Sequence, residues 1–412
     1  MAQTLAQKLV ARAAGRATVT PGEIVTCKVD LAMVHDSSGP RRLKPRLERL
    51  GAKVWDPKKV VVITDHYLPT YDDDSRRIIQ IARDWVREAG IDAFYDAQGI
   101  CHVVLPERGH LRPGMFVVGG DSHSPTGGAF AAYMFGIGAT EMLGVMVTGE
   151  IWLKVPHTIA LDFDGGLRPG VSAKDIMLFL IGRFGMDGGQ YQAVEYRGAA
   201  IRALAMQERM TLCNMTAELG GQTGLIAADG VTRDYLRKEI EIWDSDAGAP
   251  LLAHHRFNAS ELAPQVAAPH SPANTRPVSD FRQKINLAYI GACTGAKLED
   301  LRMAASVLRG RKSRVKLLVA PASLRDQQTA ESEGTLGILL DAGAELLANS
   351  CGMCAGYGAN LLGDDTVAIS STARNFQGRM GSPAAQVYLA SPYTVAASAV
   401  AGHIADPREL LA

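Results

Sequence analysis

Short apolar runs rich in β-branched residues recur along this chain between longer helical patterns, and each run gives way to polar residues. Lys59-Val60-Val61-Val62-Ile63-Thr64 leads into Asp65-His66 and then a helical stretch from Ser75 to Ala89. Met115-Phe116-Val117-Val118 passes through Gly119-Gly120 to Asp121-Ser122-His123. Ile285 to Ile290 passes through Gly291-Ala292 to Cys293-Thr294, and Thr366 to Ser370 is followed shortly by Arg374. Such runs alternating with helices indicate α/β units with mostly parallel sheets, because parallel strands need crossover connections and are covered on both faces. Ligands of open α/β sheets bind beyond the carboxyl ends of the strands, so chemistry is expected where these four runs stop.

A chain of 412 residues exceeds one ordinary core and points to two or three domains. Asp162 to Gly170, with Asp-Phe-Asp-Gly-Gly and Arg-Pro-Gly turn chemistry before a helix over Ala173 to Phe184, reads as a soft boundary. The proline-rich stretch Leu262 to Asp280 has little hydrophobic periodicity and reads as an interdomain linker. Lys+Arg and Asp+Glu both number 43, so no basic field points to nucleic acid or a membrane surface. Near the start, Thr4 is expected to cap a helix that Gly15 ends, and that segment lacks the features of a signal peptide. With no run of about 18 apolar residues no transmembrane helix is expected, and a cytoplasmic address follows. The glycines of Gly185 to Gly189 make neither a dinucleotide nor a P-loop fingerprint.

Six cysteines are too few for a disulfide framework in a chain of this size, so their spacing carries the information. Cys351-Gly352-Met353-Cys354 is a Cys-x-x-Cys pair among small neighbours, and Cys293 stands alone at the end of a strand. A pair plus a single residue gives three thiolates, whereas an electron-transfer cluster usually takes four. The remaining metal position would be open to a substrate hydroxyl and carboxylate, with the metal as Lewis acid. A redox pair, a structural zinc site or plain buried thiols are the alternatives for the pair alone. Cys27, Cys101 and Cys213 have no neighbour at ligand spacing and read as packing residues.

Several separated motifs occur in one order: Val34-His35-Asp36, Thr64-Asp65-His66, Gly99-Ile100-Cys101-His102, Gly120-Asp121-Ser122-His123-Ser124-Pro125, Asn214-Met215-Thr216-Ala217-Glu218, Cys293-Thr294, the Cys351/Cys354 pair, and Arg374-Asn375-Phe376-Gln377-Gly378-Arg379. With these motifs the chain resembles the aconitase superfamily over nearly its whole length, in the manner of its isopropylmalate isomerase-type large subunits. The resemblance implies three α/β/α domains with mostly parallel sheets around a central iron–sulfur cluster, over residues 1–165, 166–280 and 281–412. It implies a [4Fe-4S] cluster on Cys293, Cys351 and Cys354 with one iron not ligated by cysteine, and a small 2-hydroxy-dicarboxylate as the substrate of a hydro-lyase. Asp65 with His66, His102 with Asp121, and His123 with Glu218 resemble the family's carboxylate–histidine pairs; Asn214 is implied to steady the cluster. Arg374 and Arg379 fall where the family holds substrate carboxylates, and Ser122 and His35 are implied to line the pocket.

The chain also departs from the family pattern. Gly295 and Ala373 stand where the family usually has asparagine, which puts leucine biosynthesis in doubt and favours a branch acting on another malate. The swivelling domain that carries the family's serine base is absent from a chain that stops at Ala412, so a separate small subunit is expected to supply the base and further substrate contacts. The rival reading is a non-enzymatic iron–sulfur protein, an electron carrier or an iron-sensing RNA binder. Balanced charge and three cysteine ligands argue against both.

Overall fold

Leu31–His35 and Val60–Thr64 are buried at all five positions, as strands covered by helices on both faces must be. They form the centre of a five-stranded, all-parallel sheet in the order Phe94–Asp96, Val60–Thr64, Leu31–His35, Phe116–Gly119, Tyr133–Gly136. The chain starts at Leu31–His35, builds outward on one side, then crosses to the other. The order therefore reverses between Leu31–His35 and Phe116–Gly119, which opens a crevice beyond their carboxyl ends.

The computed structural model describes residues 2–411, so Met1 and Ala412 lie outside the described residues. A second parallel sheet has the order Thr223–Leu225, Ala193–Arg197, Thr158–Asp164, Ala253–Asn258. The third sheet repeats the plan of the first: its parallel part runs Gln386–Ala390, Val367–Ser370, Leu287–Ile290, Lys316–Val319, Ala344–Leu346. Here the reversal lies between Leu287–Ile290 and Val367–Ser370, so Cys293 and Arg374 leave the third sheet as His35 and Asp121 leave the first. The four runs singled out in the sequence are all parallel strands, three of them trimmed by one or two residues at the start and the second shifted forward by one to Phe116–Gly119.

Two organisational expectations change. The second sheet begins at Thr158, ahead of the turn at residues 162–170, because that turn chemistry closes a strand instead of opening a unit. The stretch expected to be a linker contains two short strands, Gln265–Ala267 and Thr275–Pro277, paired antiparallel. The first also pairs antiparallel with Gln386–Ala390, extending the third sheet. Three-residue strands are too short to show a period, and Pro277 is tolerated because its strand is the edge.

Local signals behave as chemistry requires. The helix Asp73–Ala89 is capped by Asp72, whose carboxylate accepts from Ser75 N at 2.7 Å, and ends at Gly90 in the left-handed region. Thr4 and Gln7 form a capping box for Leu5–Ala13, with Gly15 at φ 66 just beyond. The helix Ala173–Phe184 spans the expected residues. Among the described residues no helix is long and apolar enough to cross a membrane.

Candidate active site

The loops beyond the carboxyl ends of the first and third sheets line one cavity of about 290 Å³. On the first-sheet side, Asp36 is fully buried, and its two carboxylate oxygens accept from the backbone N–H groups of Asp65 (2.9 Å), His66 (3.1 Å) and Tyr67 (2.7 Å). That clamp fixes the turn after Val60–Thr64 and aims His66 into the cavity. Asp65, itself buried, holds His66 Nδ1 at 2.6 Å with one oxygen and accepts from Cys101 N at 2.8 Å with the other. Burial alone would strip the proton from His66, but the adjoining Asp65 charge and its hydrogen bond win and raise the imidazole to about 10. Asp65 shifts the opposite way: burial opposes its charge, yet the imidazolium keeps its carboxyl well below the usual range. His66 is thus an imidazolium at neutral pH.

His35 stacks on His66, with ring centroids 4.0 Å apart. Its Nδ1 accepts from Ser37 N at 3.3 Å, which assigns the proton to Nε2. Burial and the neighbouring His66 charge lower His35 to about 3, so it stays neutral. His35 Nε2 is buried without a partner, 3.7 Å from Asp121 Oδ2, and the ring lines the cavity. This is a donor left without an acceptor.

The second and third pairs share Asp121. His102 Nε2 lies 2.7 Å from Asp121 Oδ1, which also accepts from His123 N at 2.8 Å. His123 Nε2 lies 2.9 Å from Glu218 Oε1, and Arg374 Nε donates to the same oxygen. Burial works against both carboxylates, but Asp121 is held well below the usual range chiefly by His102, and Glu218 at about 2 chiefly by the Arg374 charge. Arg374 lines the cavity while tied to Glu218; Arg379 lines it with its Nε buried and unpartnered. Ser122 lines it too.

Cys293, Cys351 and Cys354 all face this cavity, and none is in a disulfide. Asn214, at the end of the helix Met206–Asn214, donates from Nδ2 to Cys293 Sγ at 3.2 Å and to Thr126 Oγ1 at 2.8 Å. Within the Cys-x-x-Cys turn, the contact with Cys351 lowers Cys354, with the Arg379 charge adding to it. Three thiols on one wall, one already accepting an amide N–H, are a donor set that fits an iron–sulfur cluster. Cys27, Cys101 and Cys213 are fully buried and do not line it, although Cys101 sits just behind the wall, with its N–H on Asp65.

Every residue expected at the site is there, but three stand behind the lining: Asp65 behind His66, Glu218 behind His123 and Arg374, and Asn214 behind Cys293. Sequence reasoning missed Lys174. This buried lysine reaches from the helix Ala173–Phe184 to Thr294 Oγ1 (3.2 Å), Ser371 O (2.9 Å) and Thr372 O (2.6 Å), pinning the loops that carry Cys293 and Arg374. Burial lowers its amine to about 8. A lysine on a helix face carries no signal that it will be buried. The clamp role of Asp36 was likewise unassigned, although the residue completes the Val34-His35-Asp36 motif. Gly295 is explained by Ser371: a Cβ there would come within 2.3 Å of the serine Cβ and Oγ, and that hydroxyl accepts from Gly291 N at 3.0 Å. Ala373 is buried and lines the cavity.

Known proteins share this chain's pattern over most of its length. The family model for the aconitase family (aconitate hydratase) matches residues 7–284 and 280–402. The chain is 43% identical to a probable 3-isopropylmalate dehydratase large subunit of Methanothermobacter thermautotrophicus over all of both chains. It is 42% identical to 3-isopropylmalate dehydratase large subunit 1 of Methanopyrus kandleri, again over all of both. A probable methanogen homoaconitase large subunit of M. thermautotrophicus is 40% identical, with 98% of this chain and 97% of that one covered. On these matches and on the convergence of three thiols, three carboxylate–histidine pairs and two arginines, the chain belongs to the aconitase family.

Proposed function

We propose that this chain is the large subunit of an iron–sulfur hydro-lyase that removes and adds water across a small 2-hydroxy-dicarboxylate of the substituted-malate class. It would work in the reducing cytoplasm, where its six thiols stay unpaired. The observation that carries the reading is the meeting of Cys293, Cys351 and Cys354 with His66, His102, His123, Arg374 and Arg379 around one cavity. Relatives named for 3-isopropylmalate and homoaconitate chemistry support the substrate class.

The residues divide the work. Cys293, Cys351 and Cys354 would hold a [4Fe-4S] cluster, which when bound supplies a Lewis acid at the iron that no cysteine ligates. Arg379 and Arg374 hold substrate carboxylate, the guanidinium fork matching two oxygens. His66, kept protonated by Asp65, delivers a proton to the departing hydroxyl, which leaves as water. In the hydration direction it takes that proton back. His102 with Asp121 and His123 with Glu218 fix the polar wall around the leaving water.

One role is unfilled. Dehydration also removes a weakly acidic proton beside a carboxylate, which needs a base with a free lone pair. Asp65, Asp121 and Glu218 are each engaged by a histidine or arginine and held at low pKa, which makes them poor acceptors. None of these three carboxylates serves as that base, which we assign to a separate small subunit, in keeping with relatives named as large subunits. The test is to assay the cluster-reconstituted chain with and without its small subunit against isopropylmalate, dimethylmalate, citramalate, malate and homologues. Activity that needs both chains is expected; full hydratase activity from this chain alone would refute the division of labour.

A further inference from the structure

We infer that Ser38 and Arg42, on the loop and first helical turn after Leu31–His35, form a carboxylate subsite in the cavity wall, and that the substrate carries an anionic side arm there instead of a branched alkyl group. The inference rests on the hydro-lyase reading above and deepens it.

Three independent features converge. Ser38 Oγ is a buried hydroxyl with no hydrogen-bond partner, and Ser38 lines the cavity. It is pressed so close to the opposite wall that a Cβ on Gly120 would lie 2.7 Å from it, which places it beside the loop of Asp121 and Ser122. Arg42 also lines the cavity and, among the described residues, makes no side-chain hydrogen bond or ion pair. Its neighbour Arg41 is occupied: it donates to Ser37 O at 2.7 Å and lies over the Tyr67 ring. Arg42 is therefore an unpaired, solvent-exposed cation at the rim of the cavity. Next to both, His35 is 2% exposed, with its Nε2–H unpartnered and facing the same space. The amino end of the helix Pro40–Leu50 adds positive potential here. A hydroxyl, an N–H and a guanidinium, all lacking acceptors, are what a carboxylate satisfies.

The apolar side of the comparison agrees. Apart from alanines, the cavity lining offers Ile100 and Tyr357 as its large apolar side chains. A branched alkyl arm placed against Ser38 and His35 would leave the buried Ser38 Oγ and His35 Nε2 unpaired, and a site built to bind a polar group rejects the analogue lacking it.

The test uses two unreactive probes that share a succinate core and differ in one arm of similar size: tricarballylate, with a carboxymethyl arm, and isopropylsuccinate. Binding to the full, cluster-reconstituted chain is measured by calorimetry and by the change in the cluster's electron paramagnetic spectrum. Tricarballylate should bind at least about tenfold more tightly, the margin of a charge-assisted hydrogen bond. Arg42→Met and Ser38→Ala should each weaken tricarballylate by roughly tenfold while leaving isopropylsuccinate within about twofold. Equal or tighter binding of isopropylsuccinate, no binding of tricarballylate, or variants that weaken both probes alike would overturn the subsite. If the alkyl probe alone perturbs the cluster, the hydro-lyase reading stands without it; if neither probe nor any malate does so, that reading falls as well.

Discussion

Asp65→Asn tests whether His66 is the proton donor. In the native arrangement the carboxylate lies 2.6 Å from Nδ1 and the imidazole is raised from 6.5 to about 10. That shift corresponds to roughly 4–6 kcal/mol favouring the charged ring. Asparagine keeps the shape and can still accept from Cys101 N, but it removes the neighbouring charge. The burial that Asp65 outweighs is then opposed only by the more distant Asp36 and Asp121, so the ring becomes mostly neutral at neutral pH. Loss of a positioned acid costs about 10²–10⁴ in rate. We expect kcat at pH 7.5 to fall in that range with KM little changed. The alkaline limb of the wild-type kcat profile, near 10 if His66 is responsible, should move below neutrality in the variant. The assay is steady-state hydration and dehydration by the reconstituted complex from pH 6 to 10, with cluster content equalised by iron and sulfide analysis. A variant that keeps the wild-type kcat and alkaline limb would refute the role.

Other outcomes rest on the same contacts. Glu218 titrates at about 2 when folded, so its contribution is present above the unfolded carboxylate pKa and is lost as pH falls through about 2. Denaturant midpoints measured from pH 6 to 3 should drop steeply for the wild type and by roughly 2 kcal/mol less for Glu218→Gln. Lys174→Met removes the donor that Thr294 Oγ1, Ser371 O and Thr372 O share; Ser371 O still accepts from Thr294 Oγ1, so Thr372 O is the acceptor left unpartnered, and stability should fall by roughly 1–3 kcal/mol, read as a lower melting temperature. Asn214→Ala removes the N–H from Cys293 Sγ, and chelator challenge should strip iron more readily, in line with the roughly 10–100-fold affinity cost of losing an outer-shell partner.

How much of the site was legible in the sequence depends on what each residue needs around it. His66, Asp121, Cys293 and Arg374 lie two to four residues beyond strands whose apolar runs are visible locally, so their presence at a sheet's carboxyl edge could be read from the chain. Their partnerships cross long separations: His123 meets Glu218 and Asn214 meets Cys293 only after the second sheet packs against the other two. Those pairings came from resemblance, since no spacing encodes them. Lys174 and Arg42 were invisible for the same reason. Each is a cation on a helix, and only tertiary packing decides that one is buried among carbonyls and the other left free at the cavity. The edge strands within 262–280 were missed because three residues are too few to show alternation.

Whether three thiols hold a four-iron cluster with one iron open to substrate is read by Mössbauer spectroscopy of the ⁵⁷Fe-reconstituted full chain, before and after addition of a hydroxy-dicarboxylate. Four irons per chain are expected, one of whose subspectra shifts on binding while the other three stay fixed, with loss of the cluster in Cys293→Ser. Four irons that are all insensitive to every hydroxy acid tried, or a Cys293→Ser protein with an intact cluster, would contradict that arrangement.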